Sequence, residues 1–142
     1  MSKLKVLFVC IHNSARSQMA EAWLNNLAGD RFEAESAGLE PGKLNPNVVA
    51  VMLQAGIDIS QNPTKDVFSI FKTGKTYDYV ITVCDAASAE RCPVFPGKVS
   101  RIAWSFRDPS SFTGALEEKL AQTAIVRDEV KAQVQQFIDS IH

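Results

Sequence analysis

The 142-residue chain has no excess charge of either sign: 15 Lys and Arg against 16 Asp and Glu leave a net charge of −1. It has no basic stripe to neutralise a phosphate backbone or an anionic lipid surface, so nucleic acid and membrane are not expected partners. No apolar run approaches membrane-spanning length. Lys3 and Lys5 precede the apolar run Val6-Leu7-Phe8-Val9, but His, Asn and Arg follow at once. That is too short and too soon polar for a secretion signal, and a cytoplasmic location is expected. Internal repeats and low-complexity segments are absent. Cysteine is scarce and odd in number, at three. In a reducing compartment this favours reactive thiols over a disulfide framework. With only two histidines, one of them at the terminus, a four-ligand zinc site fits poorly. What remains is an ordinary globular composition, 46% hydrophobic and 22% charged. The length suits a single domain, 1–142, with a real core.

Buried strands alternate with helical segments along the chain. Residues 4–9 alternate too little to be half exposed and read as a buried parallel strand. Residues 18–28 read as a helix with Met19, Trp23, Leu24 and Leu27 near one face, ended by Gly29-Asp30. A shorter strand, 32–36, stops at Gly38. Asn45 can cap a helix that has Pro46 at its first position, runs to Gln54 and is closed by Gly56. Residues 64–72 read as a weaker helix, 77–83 and 99–104 as strands. The tail, 115–141, reads as one amphipathic helix with Leu116, Leu120, Ile125, Val130, Val134, Phe137 and Ile141 inward. The class is therefore α/β, with a parallel sheet flanked by helices. Sites in such sheets lie at the carboxyl ends of strands, where Cys10 and Cys84 both fall.

Cys10-Ile11-His12-Asn13-Ser14-Ala15-Arg16-Ser17 joins the first strand to the first helix. Backbone N–H groups in such a turn point inward, and the helix start adds partial positive charge. Arg16 offers a planar fork of donors matched to two oxygens of a tetrahedral anion. The same field favours a thiolate, the nucleophilic form of cysteine. A thiolate facing an oxyanion cradle is set to attack the bound anion, with residues 11–17 lining it. A strand-end cysteine is often only a small buried hydrophobe. The polar residues that follow it, Arg16 and Ser17 among them, fit an anion site better. His12 reads as a lining residue rather than a base, and Asn13 as fixing the loop through side-chain-to-backbone hydrogen bonds.

Two further features stand at strand ends. Asp108-Pro109 is a natural turn. A carboxyl group beside a bound anion is also a proton donor for a departing oxygen. Cys84 and Cys92 flank a helix-compatible stretch, 85–91. Plain readings make Cys84 a core residue and Cys92 a loop thiol. A redox reading has Cys84 attack Cys10 and Cys92 then attack Cys84. If a short helix separates the two, they join only after it unwinds, because a disulfide needs Cα atoms within roughly 7 Å.

The run from Cys10 to Glu21, Cys-Ile-His-Asn-Ser-Ala-Arg-Ser-Gln-Met-Ala-Glu, resembles the anion loop of the low-molecular-weight protein tyrosine phosphatase superfamily. More narrowly it resembles the thioredoxin-linked arsenate reductases built on that fold. The likeness extends through Ser36-Ala37-Gly38, Gly56-Ile57-Asp58-Ile59-Ser60, Val83-Cys84-Asp85, Cys92-Pro93, Trp104-Ser105-Phe106-Arg107-Asp108-Pro109 and Arg127-Asp128-Glu129. Gln18 stands where the phosphatases usually carry proline, and Ser110 where they usually place tyrosine. Cys84 and Cys92 match the reductases' second and third redox cysteines. Ala15 replaces a cysteine common in both branches, so no disulfide can form within the loop. The Cys84–Cys92 interval is slightly longer than in some reductases.

The resemblance implies a four-stranded parallel sheet and reduction of arsenate to arsenite, with phosphate or sulfate as competing anions. Catalysis would fall to Cys10, Arg16, Cys84, Cys92 and Asp108. Thioredoxin or a similar thiol reductant would regenerate the relay. No cofactor is implied, and a monomer is expected. Asn13, Glu21, Ser36 and Asp66 match positions that bind potassium in some members. Two other functions compete. One is a phosphatase working through a cysteinyl-phosphate. The other is an oxyanion sensor using the thiols as soft ligands, which should carry a DNA-binding element that the chain lacks.

Overall fold

The computed structural model describes residues 3–84 and 89–141. Residues 85–88, within the helix-compatible stretch between Cys84 and Cys92, lie outside the described residues, as do the extreme termini. Strand β1, Leu4–Cys10, is followed by helix α1, Arg16–Ala28, and strand β2, Phe32–Gly38. Helices α2, Pro46–Gln54, and α3, Val67–Lys72, precede strand β3, Tyr79–Thr82. Strand β4, Ser100–Ala103, leads through a 3₁₀ turn, Pro109–Ser111, to helix α4, Leu116–Ser140.

The sheet is parallel throughout, in the order β2-β1-β3-β4. β1 lies in the middle because both of its faces are apolar. Val6, Phe8 and Cys10 enter one core layer, with Met19, Trp23, Met52, Val130 and Phe137 from α1, α2 and α4. Leu7 and Val9 enter the other, with Val67 of α3, Tyr77 and Phe95. β4 is a short exposed edge carrying Arg101, a composition that discourages further strand pairing. Strand order reverses at β1, so the crevice beyond its carboxyl end is the topological switch point of the sheet.

The Asn45 cap forms as its sequence signature implies: Oδ1 accepts the N–H of Asn47 at 2.8 Å, and Pro46 opens the helix. Gly56, at φ +88°, closes α2 in the left-handed region that glycine tolerates. The tail helix buries Val130, Val134 and Phe137 as its sequence pattern implies and departs from that pattern in its first half. Its buried stripe runs Thr123, Val126, Val130, Val134, Phe137 and Ile138, a spacing of three and four residues. Ile125 falls off that stripe, and Leu116 lies a turn beyond the core; they are 52% and 63% exposed. Arg127 pins α4 to α2 by donating to the Val51 carbonyl at 2.9 Å. Among the described residues no helix is long and apolar enough to cross a membrane.

Gly38 ends β2 where the chain after Cys10 crosses it. A Cβ there would lie 2.7 Å from the Ile11 carbonyl oxygen and 2.8 Å from the Asn13 nitrogen. Both are backbone atoms that cannot rotate aside. Glu21, in α1, reaches back to β2, where Ser36 Oγ donates to its Oε1 at 3.0 Å. Burial pushes the Glu21 carboxyl up from its ordinary value, against the pull of Lys65 and the Ser36 hydroxyl.

Two outcomes are expected. Gly38→Ala should displace the loop after Cys10 and weaken phosphate binding about tenfold or more, equivalent to ~1.4 kcal/mol, by calorimetry; an unchanged Kd would show that the loop yields freely. For Glu21 the folded state binds the proton more tightly than the unfolded chain. Its contribution is therefore intact below the ordinary value near 4.5 and is lost as pH rises through the elevated one. Glu21→Gln keeps the acceptor for Ser36 and removes the charge. Its melting temperature should match the native protein's at about pH 4 and exceed it at about pH 7. A difference independent of pH would contradict the burial argument.

Candidate active site

β1 delivers Cys10 to the switch point, and α1 starts six residues later at Arg16. The sulfur is 3% exposed by residue and meets two groups of its own loop. The Asn13 N–H donates to Sγ at 3.1 Å, and Ser17 Oγ lies 2.8 Å from it. The direction of the second bond follows from its neighbours. The Lys65 N–H, a donor without alternatives, donates to Asn13 Oδ1 at 2.9 Å. That turns Asn13 Nδ2 to Ser17 Oγ, at 2.8 Å. Ser17 accepts there, so its own hydrogen is assigned to the sulfur. Asn13 reaches these positions at φ +54°, a left-handed conformation that asparagine tolerates better than most residues.

The start of α1 has no side-chain cap. Ala15 occupies that position, and the first helical bond runs from Met19 N to Ala15 O. The N–H groups of residues 16–18 therefore have no partner within the helix, and together with the helix dipole they make an anion-binding end. Arg16 is 8% exposed. Its Nη1 faces the Phe106 carbonyl at 3.5 Å and its Nη2 stands 3.6 Å from Asp108 Oδ2. Asp108 Oδ1 accepts the Ser110 N–H at 3.0 Å. One Asp108 oxygen thus caps the 3₁₀ turn, and the other faces Arg16. The wall beside it is polar, with Asn45 Nδ2 donating to Ser110 Oγ at 3.1 Å.

The rest of the loop is tethered to the 39–45 segment. The carbonyls of Cys10, Ile11, His12 and Ser14 accept the N–H groups of Leu39, Glu40, Gly42 and Asn45. His12 is exposed, and its Nδ1 donates to the Glu40 carbonyl at 2.9 Å. That bond ties the ring to the rim, as suits a lining residue.

None of the three cysteines is in a disulfide, and all are buried. Cys84 packs in the same core layer as Cys10. Cys92 packs in the opposite layer, with Tyr77, Val80 and Phe95. Burial pushes the Cys92 thiol up, against the pull of Arg101. Cys92 lies in the core layer opposite that of the other two.

Of the four residues of the potassium set, Glu21 and Ser36 are hydrogen-bonded to each other. Asn13 Oδ1 accepts the Lys65 N–H, and Asp66 Oδ1 caps α3 by accepting the Phe68 N–H at 2.8 Å. Sequence reasoning missed two contributors to the site, Lys65 and Gln18. Lys65 acts through its backbone, which leaves no sequence signal. Gln18 carries one: a glutamine is buried in the first turn of a helix, where polar side chains normally face water.

Residues 5–142 match the family model for low molecular weight phosphotyrosine protein phosphatases. The chain is 43% identical over 140 residues to an arsenate reductase of Bacillus licheniformis, covering 99% of each. It is 42% identical over 135 residues to one from Bacillus subtilis, covering 95% of each. Its fold matches an arsenate reductase in an oxidized state with a TM-score of 0.80 at 30% identity, over 97% and 98% of the two chains. It also matches one in a phosphate-binding state with a TM-score of 0.76 at 29% identity, over 98% and 99%. A thioredoxin-dependent arsenate reductase of Corynebacterium glutamicum matches with a TM-score of 0.64 at 27% identity, over 94% of this chain and 63% of that one. With its sheet, its loop and these relatives in agreement, the chain belongs to the low molecular weight phosphotyrosine protein phosphatase family.

Proposed function

We propose that this protein reduces arsenate to arsenite, with Cys10 as nucleophile and with Cys84 and Cys92 as a disulfide relay emptied by a thioredoxin-like dithiol protein. The observation that carries the reading is the Cys10 sulfur. It accepts hydrogen bonds only, at the uncapped start of the helix that opens with Arg16, whose guanidinium faces Asp108. Arsenate has the tetrahedral shape and charge that such a cradle fits, and the wall beside Asp108 carries the Asn45–Ser110 hydrogen bond. The similarity to proteins named arsenate reductase supports the same choice.

The steps balance as follows. The oxyanion docks on the loop N–H groups and Arg16. The Cys10 thiolate forms a bond to arsenic, and an arsenic-bound hydroxyl leaves as water with a proton from Asp108. Cys84, in the same core layer, attacks the Cys10 sulfur. The electron pair of the sulfur–arsenic bond passes to arsenic, which departs as arsenite, leaving a Cys10–Cys84 disulfide. Cys92 attacks Cys84 and releases Cys10 as thiolate. A partner dithiol then reduces the Cys84–Cys92 disulfide by exchange. Cys92 starts on the opposite face of the sheet, so this third step requires its segment to leave the core. The second reading, phosphate-ester hydrolysis through a cysteinyl-phosphate opened by water, uses the same cradle and Asp108 but neither other thiol.

Arsenate-dependent oxidation of a thioredoxin system, run beside aryl-phosphate hydrolysis on the same sample, separates the two. Cys10→Ser should abolish both activities. Cys84→Ser should stop arsenite release and leave hydrolysis largely intact. Cys92→Ser should allow about one turnover and accumulate a Cys10–Cys84 disulfide visible in peptide mass maps. Normal cycling of Cys92→Ser with thioredoxin would rule out the relay.

Asp108→Asn should slow the first chemical step by roughly 10²–10³-fold in single-turnover mixing, with anion affinity changed far less, because a general acid acts in the transition state. An unchanged rate would return Asp108 to the role of a turn cap.

A further inference from the structure

We propose that Gln18 is a positioning residue for the nucleophile, a buried amide that locks Asn13 in the conformation from which it directs two hydrogen bonds toward the Cys10 sulfur. The inference rests on the reading of Cys10 as nucleophile. Gln18 lies in the first turn of α1 and is 1% exposed. Its Nε2 faces three oxygens: the Asn13 carbonyl at 3.1 Å, Asn13 Oδ1 at 3.3 Å and the Pro63 carbonyl at 3.0 Å. Carbonyl oxygens only accept, so the orientation of the amide is fixed. Its Oε1 accepts from Asn62 Nδ2 at 3.2 Å. One side chain thus holds both the backbone and the side-chain oxygen of Asn13, and ties them to the 62–63 segment.

That hold bears on the chemistry. Asn13 is the one non-glycine residue with positive φ among the described residues. Left-handed backbone is unfavourable for any L-residue and persists only where its surroundings over-determine it. Here the surroundings are Lys65 N–H and Gln18. Released from Gln18, Asn13 can relax toward negative φ. Its N–H then swings off the sulfur, and its Nδ2 no longer dictates the Ser17 hydroxyl. Both donors to Sγ are lost together, although Gln18 itself touches neither sulfur nor substrate. Leucine or methionine would fill the same volume but could not hold Asn13.

The test measures Cys10 alkylation by iodoacetamide, located by peptide mass mapping, beside arsenate turnover with thioredoxin. In Gln18→Met, alkylation at about pH 6.5 should be roughly tenfold slower than in the native protein, with little change at about pH 9.5, where the thiol ionises without help. The kcat for arsenate should fall about tenfold, with KM changed less than threefold. A rate equal to the native one at the lower pH overturns the proposal, as does an equal loss at both values, which would mean altered access.

Gln18→Glu keeps the shape and guards against a methionine variant that does not fold. Its carboxylate presents an acceptor to three acceptors, and protonation restores one donor. Its alkylation deficit relative to the native protein should shrink between about pH 8 and pH 5.5; a constant deficit overturns the proposal. Alkylation needs no arsenate. It therefore judges Gln18 even if native protein leaves arsenate untouched, a result that would overturn only the proposed function.

Discussion

A sulfur that is almost wholly buried and surrounded by hydrogen-bond donors is the constraint around which the carboxyl edge of this sheet is arranged. Charge removed from water is costly unless donors replace the lost solvent. Cys10 meets Asn13 N–H, the Ser17 hydroxyl and the open start of α1, and each offers a hydrogen or a positive dipole end. None of these donors is independent. Asn13 needs Lys65 to set its amide and Gln18 to hold its backbone, and the loop needs a glycine at position 38 to cross β2. A nucleophile and an oxyanion want the same surroundings, so one set of donors serves both. That economy explains why phosphate-ester hydrolysis and arsenate reduction can share a fold.

What separates the two chemistries lies outside the cradle. Hydrolysis needs only water after the first step. Reduction needs a second thiol that reaches Cys10 and a third that carries oxidation outward. The sheet divides these roles physically. Cys84 stands in the layer of Cys10, while Cys92 is buried among Tyr77 and Phe95 on the other face. Burial also pushes the Cys92 thiol up. In the proposed relay, a thiol so stored would stay out of the first attack, and each cycle would require its segment to leave the core.

Much of this was legible in the residues. The apolar run of β1, the Asn45-Pro46 helix start and the Cys10-to-Arg16 spacing are local signals, and each appears where the pattern puts it. Val130, Val134 and Phe137 of α4 are buried as the pattern implies, but its first half was not legible: Leu116 and Ile125 are apolar, and only packing against α1 and α2 selects Val126 instead. The two faces of the cysteine relay were equally hidden. Linear spacing between Cys84 and Cys92 says nothing of which side of a sheet a later loop enters. Within the site, the contribution of Lys65 is a backbone N–H, which any residue there would supply.

The central claim is that electrons pass from the chain's own thiols to arsenic. The most direct measurement is a single turnover of native, fully reduced protein with one equivalent of arsenate and no external reductant. Arsenite is quantified by chromatography, and the disulfide is located by mass mapping. The account predicts one arsenite per chain together with a Cys84–Cys92 disulfide, and Cys10 returned to its thiol. Arsenate recovered intact with all three thiols still reduced would contradict it.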